Sequence, residues 1–329
     1  MKVQHIFWVV VITCILASSF LYTGESMAQD VKIGVIQITL EHEYQLMLNK
    51  GFKDKAAELG VEVNVCINEL SPEKTVGCAE NLIAAGVDVL ICAPGDQASW
   101  MAVAHLSKDA GIPLINDGSP QEMLEGVTVP FIGTASRGGG NLAGVFAGKW
   151  INEHLGGSAK VVGLTLPTFT DCVQRNEGFN EALRETATGT IEIIEENGAG
   201  LRERGLVAME NILQGHPDVD VVFGCNDDSA LGALSAMQAA GKDPEKHLVI
   251  GFDGTIGAFE EIKKEGMFRL DIVQQPYLYA TMHMERAVKL AKGEASVDDY
   301  KEPLFIETPV VSIDNADEWI ENVSTYMPE

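Results

Sequence analysis

Basic side chains are scarce in this sequence: Lys and Arg number 23 against 48 Asp and Glu, a net charge of −25. Binding to phosphate backbones is driven by clusters of Lys and Arg, so nucleic acid is excluded as a partner. The acidic surplus otherwise serves to keep the chain dispersed. Metal chemistry lacks its usual signatures too, since no CxxC occurs and the seven histidines form no HExxH or comparable grouping. No GxSxG marks a hydrolytic nucleophile. Past the N-terminus no stretch is apolar enough to span a bilayer, and no flexible linker interrupts the chain. Neither a metal nor a cofactor is expected.

What is present begins with an address. Lys2 precedes an almost uncharged run over 6–22, and Ser26-Met27-Ala28 supplies small residues before Gln29. A basic start, an apolar core and a small-residue site describe a cleavable export signal over 1–28, cut after Ala28. An uncleaved membrane anchor is the alternative. Cys14 sits inside the apolar run without the small residues that a lipidation site places before it. Five cysteines then remain, Cys66, Cys78, Cys92, Cys172 and Cys225, an odd number that leaves at least one without a partner in the chain. Cys66–Cys78 and Cys172–Cys225 are the two possible pairs; the alternative is that all five are small buried thiols.

Strand and helix patterns alternate from there on. Strands are expected at 31–37, 61–67, 87–92, 112–116 and 129–133, separated by amphipathic stretches. A second series runs through strands at 160–166, 190–196, 219–224, 248–252 and 268–273, with helices at 172–186, 201–214, 229–240 and 277–292. Such spacings make right-handed βαβ units, so the fold class is α/β with two doubly wound parallel-sheet lobes. Residues 134–140, TASRGGG, are read as a crossing point or hinge, because glycine permits unusual backbone angles. Gly138, Gly140 and Ala143 share the GxGxxA spacing of a dinucleotide site, but the next strand tip, Gly163-Leu164-Thr165, carries no acid for a ribose.

Polar residues gather at the carboxyl ends of these strands, the edge where open parallel sheets bind small molecules. They include His42 and Tyr44 after the first strand, Asp96 after the third, and Asn116 and Asp117 after the fourth. The second series supplies Phe169, Asp171 and Arg175, then Asn226, Asp253 and Gln274. Asn226 also reads as a helix cap and Asp253-Gly254 as a simple turn. If Asp171 caps its helix, Arg175 falls in the first turn, against the macrodipole. It then either pairs locally with Asp171 or Glu177, or aims its guanidinium fork at ligand oxygens. Carboxylates, amides and one guanidinium converging from two lobes would satisfy the hydroxyls of a small polyol, with Tyr44 and Phe169 as aromatic faces.

Five segments, KIGVIQ, RNEGFNEAL, HPDVDVVFGCNDDSALGALSAMQAAG, LVIGFDGT and IVQQP, resemble in order and spacing the periplasmic sugar-binding proteins of ribose-binding type. These are the solute receptors of ABC importers, and the resemblance covers residues 31 to about 311. It implies lobes of 29–135 plus 276–308 and 136–275 plus 309–329, joined by three crossovers and closing on a ligand by hinge motion. It further implies a periplasmic monomer that serves an inner-membrane ABC permease. Arg175, Asn226, Asp253 and Gln274 match the family's ligand contacts, as does Asp117, with Asn116 competing for that place.

His42, Tyr44 and Gln45 stand where ribose receptors carry Asn and a pair of Phe, and no aromatic occurs near Gly200. These departures point to another sugar, a linear polyol or a cyclitol, and Arg137 beside Arg175 leaves a carboxylate-bearing ligand open. A receptor for a membrane signalling partner needs the same closure. An exported enzyme would need a nucleophile with its base, and His42 is the one histidine at a strand tip.

Overall fold

Apolar runs rich in β-branched residues, each followed by an amphipathic stretch, fold here as strands that cross over through helices. The computed structural model describes residues 31–198 and 200–327; the expected signal segment over 1–28, with its cleavage point, lies outside the described residues. β1 (Lys32–Gln37), β2 (Glu62–Ile67), β3 (Val89–Cys92), β4 (Leu114–Asn116) and β5 (Thr128–Val129) form one sheet in the order β2-β1-β3-β4-β5. All of its pairings are parallel. β6 (Ile132–Gly133) leaves that sheet and pairs later with β12 (Leu304–Phe305).

The second sheet contains β7 (Ala159–Thr165), β8 (Ile191–Asn197), β9 (Val221–Gly224), β10 (Leu248–Asp253), β11 (Phe268–Val273) and β13 (Val310–Val311). Its order is β8-β7-β9-β10-β11-β13, and only the pairing of β13 with β11 is antiparallel. Counted within each lobe, both sheets therefore run two-one-three-four-five, with β13 added as a sixth strand in the second. The chain passes between the lobes at 134–135, 274–275 and 306–309. This is an α/β architecture of two doubly wound parallel-sheet lobes.

Successive strand residues point to opposite faces, and both faces of each sheet are covered. Ile33, Val35, Val89 and Ile91 pack on α1 (Glu43–Leu59) and α9 (Pro276–Ala291). Ile36, Leu90 and Leu114 pack on α2 (Pro72–Ala84) and α3 (Gln97–Ala110). In the second sheet Val161, Phe223, Ile250 and Phe252 meet α4 (Ser136–His154) and α5 (Thr170–Thr186). Val162, Leu164, Val222 and Val249 meet α6 (Arg202–Gly215), α7 (Asp227–Ala239) and α8 (Ile256–Lys263), and α10 (Ala316–Ser324) closes that core. Burial on both faces is why these strands read as unbroken apolar runs.

The structure corrects several expectations. The strand expected over 129–133 is two short pieces, because Pro130 has no N–H to continue a ladder. The α5 helix starts at Thr170, so Asp171 is not its cap and Arg175 lies beyond the first turn. Of the segment 134–140, residues 134–135 make the crossing, whereas Gly138 to Gly140 lie inside α4. These glycines serve close packing: a Cβ on Gly140 would run into the Arg175 carbonyl, one on Gly144 into that of Phe179, and one on Gly178 into that of Arg137. The α4 and α5 backbones thus touch directly.

Cys66 and Cys78 form a disulfide between β2 and α2, while Cys92, Cys172 and Cys225 are free and buried. Among the described residues no helix is long and apolar enough to cross a membrane, and no group of three or more His, Cys, Asp or Glu is arranged to hold a metal ion.

Because the atom opposing Gly140 is backbone rather than a flexible side chain, Gly140→Ala should force α4 and α5 apart. Urea unfolding should show a loss of about 1–3 kcal/mol, whereas Gly77→Ala on α2, with open space around it, should show none of that loss.

Candidate functional site

Where strand order reverses in a parallel sheet, the flanking crossovers diverge and leave a crevice at the strands' carboxyl ends. The reversal falls between β1 and β3 in one lobe and between β7 and β9 in the other. The segments beyond β1, β7 and β9, with those after β4, β6, β8, β10 and β11, line a single cavity of about 200 Å³ between the lobes. That is smaller than the roughly 300–1,000 Å³ of pockets for drug-sized ligands. His42, Tyr44, Asp117, Phe169, Asp171, Arg175, Asn226, Asp253 and Gln274 all lie on its wall.

Arg175 is only 5% exposed. Its Nη1 donates to the Cys225 carbonyl at 2.8 Å and stands 3.6 Å from Asp253 Oδ1, and the guanidinium covers the Phe252 ring at 4.0 Å. Burial opposes its charge, but Cys172, Asp253 and Asp171 outweigh that and hold it cationic. It therefore pairs with neither Asp171 nor Glu177. The Nε atom is buried without a partner. Glu177 and Glu181 instead take Arg137, whose exposed guanidinium is not on the cavity wall.

Asp253 ends β10 and accepts from Gln274 Nε2, which follows β11. Burial first, and then the neighbouring Asp227, push the Asp253 carboxyl well above the usual carboxylate range; Arg175 and Gln274 pull it back. Asn226 does what a cap does and more. Its Oδ1 accepts from the Ser229 amide at 3.1 Å at the start of α7, its Nδ2 donates to the Gly200 carbonyl at 2.9 Å, and the same side chain borders the cavity. Capping and lining are thus served by one amide.

The other lobe brings Asp117 at the end of β4, 7% exposed, with Oδ2 buried and without a partner. Burial raises its carboxyl to about 7. Tyr44, from the first turn of α1, has its phenol pushed up by burial and then by Tyr279, Asp117 and Asp253. Three contacts tie the lobes together around the cavity. Ser119 Oγ donates to Asp171 Oδ2 at 2.8 Å, His42 Nδ1 lies 3.6 Å from Asp228 Oδ2, and the Gly257 amide donates to Glu43 Oε2 at 3.2 Å. Asp171 also accepts from Ser136 Oγ at 3.0 Å, so it works as a clasp beside the crossing point.

Two expected residues fall outside. Asp96 caps α3 through the Ser99 amide at 2.7 Å and lines a neighbouring hollow instead. Asn116 is fully buried behind the wall, where its Nδ2 donates to the Ser119 carbonyl at 3.0 Å and shapes the loop. Gln45, noted in the sequence only as a departure from the ribose receptors, is on the wall, and sequence reading missed Ser119, Tyr279, Arg202 and Asp228, also on it. Only Asp228 carried a signal, as the second acid of CNDD beyond β9. Ser119 and Tyr279 look like ordinary loop and helix residues until the lobes meet.

Folded Asp117 at about 7 lies above its ordinary value of 3.8. Its contribution to stability is therefore complete below the ordinary value and is lost as pH rises through about 7. Asp117→Asn should abolish that loss, so the ligand-free variant should gain on the wild type, by up to about 4 kcal/mol, as urea melts move from acid to neutral pH. Parallel pH profiles for the two proteins would contradict this.

Comparison with known proteins gives a consistent picture. A family model described as "Periplasmic binding protein domain" matches residues 33–295. The ribose import binding protein of Bacillus subtilis is 31% identical over 282 residues, covering 85% of this chain and 88% of that protein. An ABC transporter solute binding protein from Bacillus halodurans, solved with bound myo-inositol, aligns at a TM-score of 0.77 and 25% identity over 89% of this chain and 98% of its own. One from Actinobacillus succinogenes, with bound D-allose, aligns at 0.77 and 26% over 88% and 99%. All three relatives are binding proteins by name rather than enzymes.

Proposed function

Because this chain belongs to the periplasmic binding protein family, we propose that it is an exported receptor for one small polyhydroxylated molecule, a sugar, polyol or cyclitol. It captures this ligand between its lobes and delivers it to an inner-membrane ABC permease. The observation that carries the reading is the convergence of Arg175, Asn226, Asp253 and Gln274 from one lobe and Tyr44 and Asp117 from the other on one cavity of about 200 Å³. Export would follow cleavage after Ala28, into the periplasm. Catalysis is no part of this reading, and relatives named for import favour transport over sensing.

The division of labour follows from chemistry. Arg175, Asn226, Asp253, Gln274 and Asp117 bind hydroxyls, each carboxylate accepting and each amide both donating and accepting. Tyr44 and Phe169 offer flat apolar faces to the C–H side of a ring. His42 and Asp171 hold the lobes closed over it. A site built this way discriminates sharply, because an analogue missing one hydroxyl leaves a buried partner unsatisfied. The lobes are 29–135 with 276–308 and 136–275 with 309–329, a division supported by α9 packing on the first sheet and β13 pairing in the second.

A thermal-shift screen with D-ribose, D-allose and myo-inositol tests the reading. Ligand at a hundred times its dissociation constant stabilises by about 2.7 kcal/mol. At least one of these compounds should raise the melting temperature of the wild type, and Asp253→Asn should lose the rise. Arg175→Ala is the poorer probe, since it would strand the buried Asp253 and unfold the empty protein earlier. Equal shifts in wild type and Asp253→Asn, or none from any of the three, would sink it.

A further inference from the structure

Behind the cavity wall sits a side chain that the binding reading does not use. α9 lays a stripe of Tyr279, Ala280, Met284 and Ala287 against the first sheet, and His283 lies in the middle of that stripe with no exposure. Neither of its ring nitrogens has a hydrogen-bond partner. Its Nε2 stands 3.6 Å from Asp117 Oδ1, and Asp117 Oδ2 is itself without a partner. Buried polar groups without partners are rare and costly in native interiors. Here two such groups, on different elements, face each other just beyond hydrogen-bond distance, and one of them belongs to the cavity wall.

We propose that His283 is a positioning residue for ligand capture: it shares one proton with Asp117 Oδ1 and so holds the Asp117 carboxyl in place on the cavity wall as an acceptor for a ligand hydroxyl. Imidazole suits this task because a neutral ring offers one donor and one acceptor and can exchange them between tautomers. When Asp117 is ionised, Nε2–H donates to Oδ1. When Asp117 is protonated, its O–H donates to Nε2 and the ring proton moves to Nδ1. In both states one proton lies between the two groups, and the carboxyl keeps its place and a free lone pair.

The surroundings permit both states. Burial raises Asp117 to about 7, and burial with Arg286 lowers His283 to about 3, so the ring stays neutral while the carboxyl titrates. The other titratable or charged groups around the pair are Cys92 at the end of β3, Tyr44 on α1, and Tyr279 and Arg286 on α9. Burial holds the thiol and both phenols in their neutral forms. Arg286 is occupied elsewhere, donating to the Pro130 carbonyl and covering the Tyr300 ring.

The proposal rests on the receptor reading, and two measurements separate them. The first needs no ligand. Imidazole nitrogen NMR of the empty protein, at pH values well below and well above the Asp117 value of about 7, should show the His283 tautomer switching from Nδ1–H to Nε2–H as pH rises. Asp117→Asn should abolish the switch. A tautomer that ignores pH, or ignores Asp117→Asn, overturns the proposal even if no sugar binds. The second is calorimetric titration with D-ribose, D-allose and myo-inositol. Any of these that binds the wild type should bind His283→Leu at least about tenfold more weakly, the worth of one charge-assisted hydrogen bond. His283→Gln, whose amide also donates and accepts, should recover most of that affinity. Wild-type affinity in a folded His283→Leu variant overturns the proposal, whereas failure of all three compounds on the wild type counts against the receptor reading alone.

Discussion

A buried guanidinium organises the second lobe. Arg175 has been taken out of water, so its charge must be met inside the protein, and it is met by a carbonyl at the tip of β9, a carboxylate at the tip of β10 and the face of Phe252. These are the strand ends that border the cavity. Asp253 in turn is held by Gln274, at the second crossing between the lobes. One cation therefore fixes the relative positions of two strand tips, a helix and a crossover. Its Nε remains without a protein partner. Removing either Arg175 or Asp253 would leave the other buried without its partner, so the site and the lobe's packing are one system.

That constraint explains the glycines as well. Arg175 can reach the strand tips because α5 lies close to the sheet and to α4. The approach is so tight that Gly140 and Gly178 meet backbone carbonyls of the opposing helix. A glycine-rich segment at a lobe crossing looks like a hinge in the sequence, yet here its glycines lie inside α4 as a packing surface, and only residues 134–135 of it precede the helix. The conformational freedom of glycine is irrelevant inside a helix; its missing side chain is what is used.

The first lobe handles its polar residues differently. Asp117 has no cation beside it, and burial alone lifts its carboxyl. Its neighbour His283 is buried with equally little support. The cleft thus faces a charge-paired wall on one side and a nearly neutral, proton-sharing wall on the other. Hydroxyl groups, which both donate and accept, suit that combination better than a carboxylate: Arg137 is turned to Glu177 and Glu181, and Arg202 on the wall is paired with Asp228 at 3.5 Å.

Much of this was legible along the chain. Unbroken apolar runs at βαβ spacing dictate a doubly wound sheet, because only strands buried on both faces look that way. Polar residues just past those runs mark the strand ends, which is why Asn226, Asp253, Gln274 and Asp117 could be read as rim residues from sequence, whereas Arg175 stands inside the helix that follows its strand. Position past a strand does not say which way a side chain turns, so Asp96 and Asn116, in the same kind of place, became a cap and a loop brace. Local order sets what a residue is next to along one lobe. Only the tertiary structure decides what it meets across the cleft, as Ser119 with Asp171 and His42 with Asp228, or within a lobe from a distant segment, as His283 with Asp117, because these residues are separated by tens to hundreds of positions and no periodicity records that distance.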